Sequence, residues 1–120
     1  MSMENNLYWY KATVMRVLDG DTAELRLDRG FNDFKETTCR FYGINTPETR
    51  TKDAAEKKKG ILAKEFTKSY LSKGTTVIVK SKELDKYGRP LVDIYCGENY
   101  SVHLNALLIE KGLANVNNYK

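Results

Sequence analysis

The run Arg40-Phe41-Tyr42-Gly43-Ile44-Asn45-Thr46-Pro47-Glu48 places a guanidinium, an amide, a backbone carbonyl and a carboxylate close together in the chain. That mixture suits a site handling a phosphate and a hard cation: a guanidinium fork matches phosphate oxygens, and hard cations take oxygen ligands. Strand alternation turns Arg40 and Tyr42 to one face and Cys39 and Phe41 to the other. Gly43 ends the alternation and Pro47 holds Thr46 extended, so the segment reads as a strand breaking into a loop. Two other clusters carry related chemistry. In Asp19-Gly20-Asp21 the glycine permits a tight turn that can aim both carboxylates at one point, although such a turn is also an ordinary hairpin corner. Asp85-Lys86-Tyr87-Gly88-Arg89 adds a second arginine and a lysine, and is equally readable as a polar turn. Singly, Arg40 could pair with a nearby acid and Glu48 could be a plain loop residue. It is the combination that points to phosphate chemistry.

Other chemistries find little support. The single histidine, His103, falls in a helical pattern, which disfavours histidine-activated nucleophiles, histidine-based zinc sites and a histidine general base. Its expected role is structural or simply exposed. Cys39 and Cys96 are spaced for neither zinc nor a redox motif and are expected as two free buried thiols. Lys+Arg outnumber Asp+Glu by 20 to 16, a mild bias toward polyanionic partners. The lysines between Lys52 and Lys73 read as a solvated helix face, and the Glu56-Lys57-Lys58 pattern within them carries no weight. No apolar run reaches the ~20 residues of a membrane helix. Met1 to Asn6 lack the basic start and apolar stretch of a secretory signal, leaving a cytoplasmic protein or a mature secreted form.

The elements that must position these clusters follow from periodicity. Leu7–Val17, Thr22–Leu27 and about Glu36–Ile44 read as a three-stranded meander. A helix capped by Thr51 or Asp53 is predicted to run to about Ser72, with Gly74 as its stop and Ile61, Leu62, Phe66 and Tyr70 as its apolar face. Gly60 weakens that helix by about 1 kcal/mol relative to alanine. Thr75–Lys80 and Leu91–Tyr95 read as two more strands. Ser101 is predicted to cap a second helix reaching Lys111, with Gly112 as its stop and Val102, Ala106, Ile109 and Leu113 buried. Five strands with a helix between the third and fourth is the order of an OB-fold. The expected class is therefore mainly β with helices (α+β): a five-stranded Greek-key barrel with two or more packed helices, in one domain over residues 1–120.

The motifs DGDT at 19–22, R-x4-N-T-P-E at 40–48 and DKYGR at 85–89 resemble those of the staphylococcal nuclease (thermonuclease) family, in order and approximate spacing, from about Lys11 to Val116. The resemblance implies an OB-fold enzyme that hydrolyses DNA and RNA phosphodiesters, usually with Ca2+, and leaves a 3′-phosphate. It implies that Asp21 and the Thr46 carbonyl bind the metal, with Asp19 in the outer sphere. It implies that Glu48 activates or orients the attacking water, that Arg40 and Arg89 grip the scissile phosphate, and that Lys86 and Tyr87 contact a neighbouring one. Asn45 stands where the family has a second metal-binding aspartate. Its amide carbonyl can still ligate a cation, but with one negative charge fewer another divalent ion, or a catalytically weakened nucleic-acid-binding OB module, stays open. Asn118 falls where the family often has a nucleotide-contacting tyrosine, and Tyr119 could substitute for it. The chain is expected to stop short of the family's third helix. The expected partners are DNA or RNA and no membrane, and the expected state is a monomer.

Overall fold

Alternation decides what fills the barrel. Ala12 and Val14, then Ala23, Leu25 and Leu27, Cys39 and Phe41, Val77 and Val79, and Val92, Ile94 and Cys96 are all buried at two-residue spacing. The computed structural model describes residues 3–117. In chain order its elements are β1 (Trp9–Asp19), β2 (Thr22–Asp28), β3 (Phe34–Phe41), β4 (Ile44–Asn45), α1 (Ala54–Tyr70), β5 (Thr76–Leu84), β6 (Pro90–Cys96), β7 (Val102–His103), α2 (Leu104–Glu110) and β8 (Asn115–Val116), with 3-10 turns at Met3–Asn6 and Glu98–Tyr100. The sheet order is β3-β2-β1-β5-β6-β7, and it closes because β3 also pairs in parallel with β6, through Arg40↔Leu91 and Phe41↔Val92. The result is the expected OB-type barrel of five strands with two helices. That closure sets Arg40 beside the strand that follows the Asp85–Arg89 turn.

Several boundaries differ from expectation. β1 starts at Trp9 rather than Leu7, after Tyr8 in a left-handed conformation, and two irregularities in its register with β2 carry it on to Asp19. β3 stops at Phe41; Ile44 belongs to the separate β4, which pairs with β8. β5 extends past Lys80 to Leu84 because β6 pairs with it there, overriding the weak strand character of Ser-Lys-Glu.

The helices depart more. Of the two candidate caps for α1, Asp53 is the one used: its carboxylate accepts from the Ala55 and Glu56 N–H groups at 3.0 and 3.2 Å. Its buried face is Gly60, Ala63 and Thr67, with Phe66 and Tyr70 partly buried, whereas Ile61 and Leu62 are 45% and 56% exposed. Short side chains let the helix settle close to the barrel, so the bulkier pair points outward. In α2 the buried residues are Leu104, Asn105 and Leu108, while Ala106 and Ile109 are exposed. The helix begins later than expected because Val102 and His103 first pair with β6. Ser101 closes the 3-10 turn instead of capping α2: its hydroxyl donates to the Glu98 carbonyl at 2.8 Å.

Asn105 is the polar centre of this packing. Its amide donates to the Tyr42 and Val92 carbonyls, both at 3.0 Å, and its oxygen accepts from the Ile94 N–H at 2.9 Å. It thereby ties α2 to β6 and to the turn that follows β3. His103 stacks on Tyr95 and lies 3.2 Å from the Asp93 carboxylate, a structural placement. Cys39 and Cys96 are free and buried, and burial pushes their thiols up to about 12 and about 11, so both are inert at neutral pH.

Candidate active site

The start of β2 and the end of β3 share a rung, Thr22↔Arg40, and the next residue locks it: the Phe41 N–H donates to the Asp21 carbonyl at 2.8 Å. Asp21 therefore lies beside Arg40, with its carboxylate 3.6 Å from Arg40 Nη2. Asp21 is only 8% exposed, and both its oxygens are engaged. Oδ1 accepts from the Thr22 hydroxyl at 2.9 Å and Oδ2 from the Thr46 N–H at 3.1 Å. The second bond fastens the loop after β4 to the β1–β2 turn. A further tie comes from the Thr49 hydroxyl, which donates to the Asp19 carboxylate at 2.6 Å.

Arg40 Nη2 also donates to the Asn45 amide oxygen, so its guanidinium sits between Asn45 and Asp21. Arg40 Nε and the Thr46 hydroxyl are buried with no hydrogen-bond partner among the described residues. Unpaired buried polar groups are costly, and they mark places where a ligand or water completes the shell. Glu48 is exposed and makes no hydrogen bond or ion pair among the described residues, which leaves both its oxygens open to water.

Gly20 is needed for proximity more than for a turn conformation. A Cβ there would lie 2.8 Å from the Ala63 Cβ and 2.9 Å from the Thr46 methyl. The Thr67 hydroxyl donates to the Gly20 carbonyl at 2.7 Å, so α1 backs directly onto the Asp19–Asp21 turn.

The third cluster is organised within itself. Asp85 accepts from the Tyr87 and Arg89 N–H groups, both at 2.9 Å, and from Arg89 Nε at 2.7 Å. Burial acts to raise the Asp85 carboxyl, but the Arg89 N–H and guanidinium and the Tyr87 N–H outweigh it and hold the group below the usual carboxylate range. The exposed Tyr87 ring has Lys86 Nζ 5.2 Å and the Arg89 guanidinium 5.6 Å from its centre.

All of Asp19, Asp21, Arg40, Asn45, Thr46, Glu48, Lys86, Tyr87 and Arg89 line one cleft of ≈ 820 Å³. The structure thus brings these sequence-predicted residues to one cleft, whereas Asn118 and Tyr119 lie outside the described residues. It adds Arg16, Thr49, Arg50 and Glu56. Arg50 follows Glu48 by two residues, a spacing that could have flagged it. Arg16 is held by Glu24 at 2.9 Å across the β1–β2 pair, which no local pattern reveals.

The oxygens that Asp21, Asn45, Asp19 and the Thr46 backbone can offer in this cleft are of the kind a hard divalent cation takes. The set is poor in charge: among the described residues no group of three or more His, Cys, Asp or Glu is arranged to hold a metal ion. Water and substrate phosphate would supply the remaining ligands, a common arrangement for Mg2+.

Comparison with known proteins adds an independent line. Residues 38–120 match the family model described as staphylococcal nuclease homologue. The chain is 33% identical over 108 residues to a thermonuclease of Staphylococcus hyicus, covering 89% of this chain and 59% of that protein. It is 33% identical over 107 residues to a thermonuclease of Staphylococcus intermedius, with 88% and 59% covered. To a micrococcal nuclease of Shigella flexneri it is 25% identical over 111 residues, with 88% and 57% covered. The chain therefore spans somewhat over half the length of these relatives.

Proposed function

The chain belongs to the family of staphylococcal nuclease homologues, and on that premise we propose that it is a metal-dependent nuclease acting on phosphodiester bonds of DNA and of RNA. The observation that carries the reading is the shared cleft, lined by the Arg40 and Arg89 guanidiniums together with the Glu48 carboxylate, which makes no hydrogen bond or ion pair among the described residues. A phosphodiester resists hydrolysis because its anion repels the nucleophile and charge grows on its oxygens during attack. Arg40 and Arg89 would grip the non-bridging oxygens and neutralise that charge where it develops. Asp85 pre-orients Arg89, and Asp21 with Asn45 orients Arg40.

Glu48, open to water, would align the attacking molecule and take its proton as the new P–O bond forms. The bond to the 5′ oxygen then breaks, that oxygen takes a proton from solvent, and a 3′-phosphate and a 5′-hydroxyl are left. Lys86 and Tyr87 would hold the neighbouring phosphate and so set the register of the strand. Asp21, Asn45 and the Thr46 carbonyl would hold the cation, Ca2+ in the first instance, with Asp19 in its outer sphere. When bound, that ion supplies a further positive charge beside the scissile phosphate.

The test is cleavage of single-stranded DNA with Ca2+, Mg2+ and Mn2+ in turn, with and without chelator, on the unaltered protein and on Arg89→Ala. The expected result is chelator-sensitive cleavage that Arg89→Ala strongly reduces. A protein that cuts nothing with any of the three ions ends this reading.

One observation favours a second reading, a binding module with weakened catalysis. The Asn45 oxygen is already engaged by Arg40, and the residue lacks a carboxylate's charge. That module would bind single strands in a salt-sensitive way without cutting them. Asn45→Asp separates the two: a gain in Ca2+-dependent cleavage identifies a weakened ligand, and no change removes this position from the metal site.

A further inference from the structure

Gly60 is buried in the middle of α1, where glycine costs about 1 kcal/mol relative to alanine. Its φ is not among the positive values that reserve a position for glycine. The neighbouring chain is what excludes a side chain. A Cβ at this position would lie 2.6 Å from the Glu48 carbonyl oxygen, 2.7 Å from its carbonyl carbon and 2.8 Å from the Pro47 carbonyl oxygen. All three are backbone atoms, so no rotamer change relieves the contact. One and two turns further on, the same helix holds the Asp19–Asp21 turn through Ala63 and the Thr67–Gly20 bond. The two segments that carry Asp21 and Glu48 thus rest on one rigid support, and Gly60 is where the second of them touches it.

We propose that Gly60 is a positioning residue for the Thr46–Glu48 segment. The missing side chain lets α1 close onto the peptides of Pro47 and Glu48 and sets where the Glu48 carboxylate stands relative to Asp21 and Arg40. The inference rests on the role proposed above for Glu48. On helix propensity alone, Gly60→Ala would stabilise the protein. The contact predicts the opposite for function, because a shift of about 1 Å at a catalytic group costs up to a hundredfold in rate.

The experiment compares Gly60→Ala, Glu48→Gln, the double variant and the control Lys58→Gly. The control changes the helix propensity of α1 by a similar amount in the opposite direction, at an exposed residue that does not line the cleft. With single-stranded DNA and saturating cation, Gly60→Ala is expected to lower kcat by about tenfold or more while KM changes less than about threefold, since Arg89, Lys86 and Tyr87 belong to a turn held by Asp85. In the Glu48→Gln background the same change is expected to add less than about twofold, because its effect passes through Glu48. Lys58→Gly is expected to lower Tm and leave kcat alone.

Equal kcat losses in the presence and absence of Glu48, or full activity in Gly60→Ala, overturn the proposal. If Glu48→Gln retains full activity, the role of Glu48 fails first and this inference falls with it. If Glu48→Gln is inactive and Gly60→Ala keeps full activity, only the inference fails. Should Gly60→Ala not fold, Ala63→Gly loosens the same support without a collision. It is then expected to lower kcat more than Lys58→Gly does, and equal kcat values for the two would overturn the proposal.

Discussion

The two arginines proposed to grip the phosphate, Arg40 and Arg89, are held in different ways. Arg89 is fixed inside one short turn, where Asp85 takes its N–H, its Nε–H and the N–H of Tyr87. Arg40 is fixed by residues from elsewhere in the fold: Asp21 from the β1–β2 turn, Asn45 from β4, and a β3–β6 pairing that closes the barrel. The first arm is encoded locally and needs little of the barrel to take shape. The second exists only when the barrel is assembled, and it keeps a buried Nε without a partner among the described residues. A locally organised arm can grip a phosphate already in place. An arm assembled from three segments also depends on Asp21, Asn45 and Thr46 being in register, and in the proposed nuclease it would couple phosphate binding to the state of the proposed cation site.

The largest expected effects come from removing the planar fork at either arm. Arg40→Lys and Arg89→Lys each keep the charge and lose bidentate geometry. Each is expected to lower kcat about a hundredfold to a thousandfold in a single-turnover cleavage assay. A loss under tenfold at either position would mean that charge alone suffices there. Next is Asn105→Ala, which takes the acceptor from the Ile94 N–H and the amide donor from the Tyr42 and Val92 carbonyls, untying α2 from β6. It is expected to cost about 3 kcal/mol, or about 10 °C in Tm for a chain of this size. Because Tyr42 follows Arg40 by two residues, just past the end of β3, activity at a temperature where the variant is folded should also fall. The sharper measurement is the NMR line width of the two guanidinium Nε–H signals: Arg40 should broaden and Arg89 should not. Broadening at both would erase the distinction between the arms.

The same contrast explains which features are legible in the amino-acid sequence. The barrel strands are, because each buries every second residue, and so is the turn chemistry of Asp85-Lys86-Tyr87-Gly88-Arg89, which lies in consecutive residues. The buried face of α1 is not legible. It is made of Gly60, Ala63 and Thr67, whose small side chains leave no hydrophobic signal, while Ile61 and Leu62 supply a misleading one. Asn105 escapes notice for a similar reason: a buried amide satisfied by three distant backbone groups looks like any polar helix residue. The types and order of the cleft residues are visible in the chain, but the attachment of Asn45 to Arg40 is not, because it depends on how β4 returns past the end of β3. Asn118 and Tyr119 lie outside the described residues.

A smaller effect tests whether Asp85 pre-orients its arginine or merely accompanies it. Asp85→Ala removes every side-chain bond that organises the turn and leaves Arg89 in place. It is expected to lower kcat/KM about tenfold, less than loss of the arginine itself, because the guanidinium can still reach the phosphate after a search. A loss as large as that of Arg89→Lys would show that the turn is part of the binding surface and more than a support.

The smallest effect is the pH dependence of that support. The Asp85 carboxyl is held below its ordinary value in the folded protein, since the Arg89 and Tyr87 donors outweigh the cost of its burial. A carboxylate depressed in this way contributes stability that is complete above its unfolded pKa of about 3.9, and that is lost as pH falls through the lower folded value. The Tm gap between the unaltered protein and Asp85→Ala should therefore be constant from neutral pH down to about pH 5, and narrow at lower pH. Thermal unfolding followed at several pH values measures it directly. A gap that stays the same down to about pH 3, below the unfolded value, would mean that the carboxylate's charge does not hold the Arg89 turn, and that backbone bonds alone give this arm its shape.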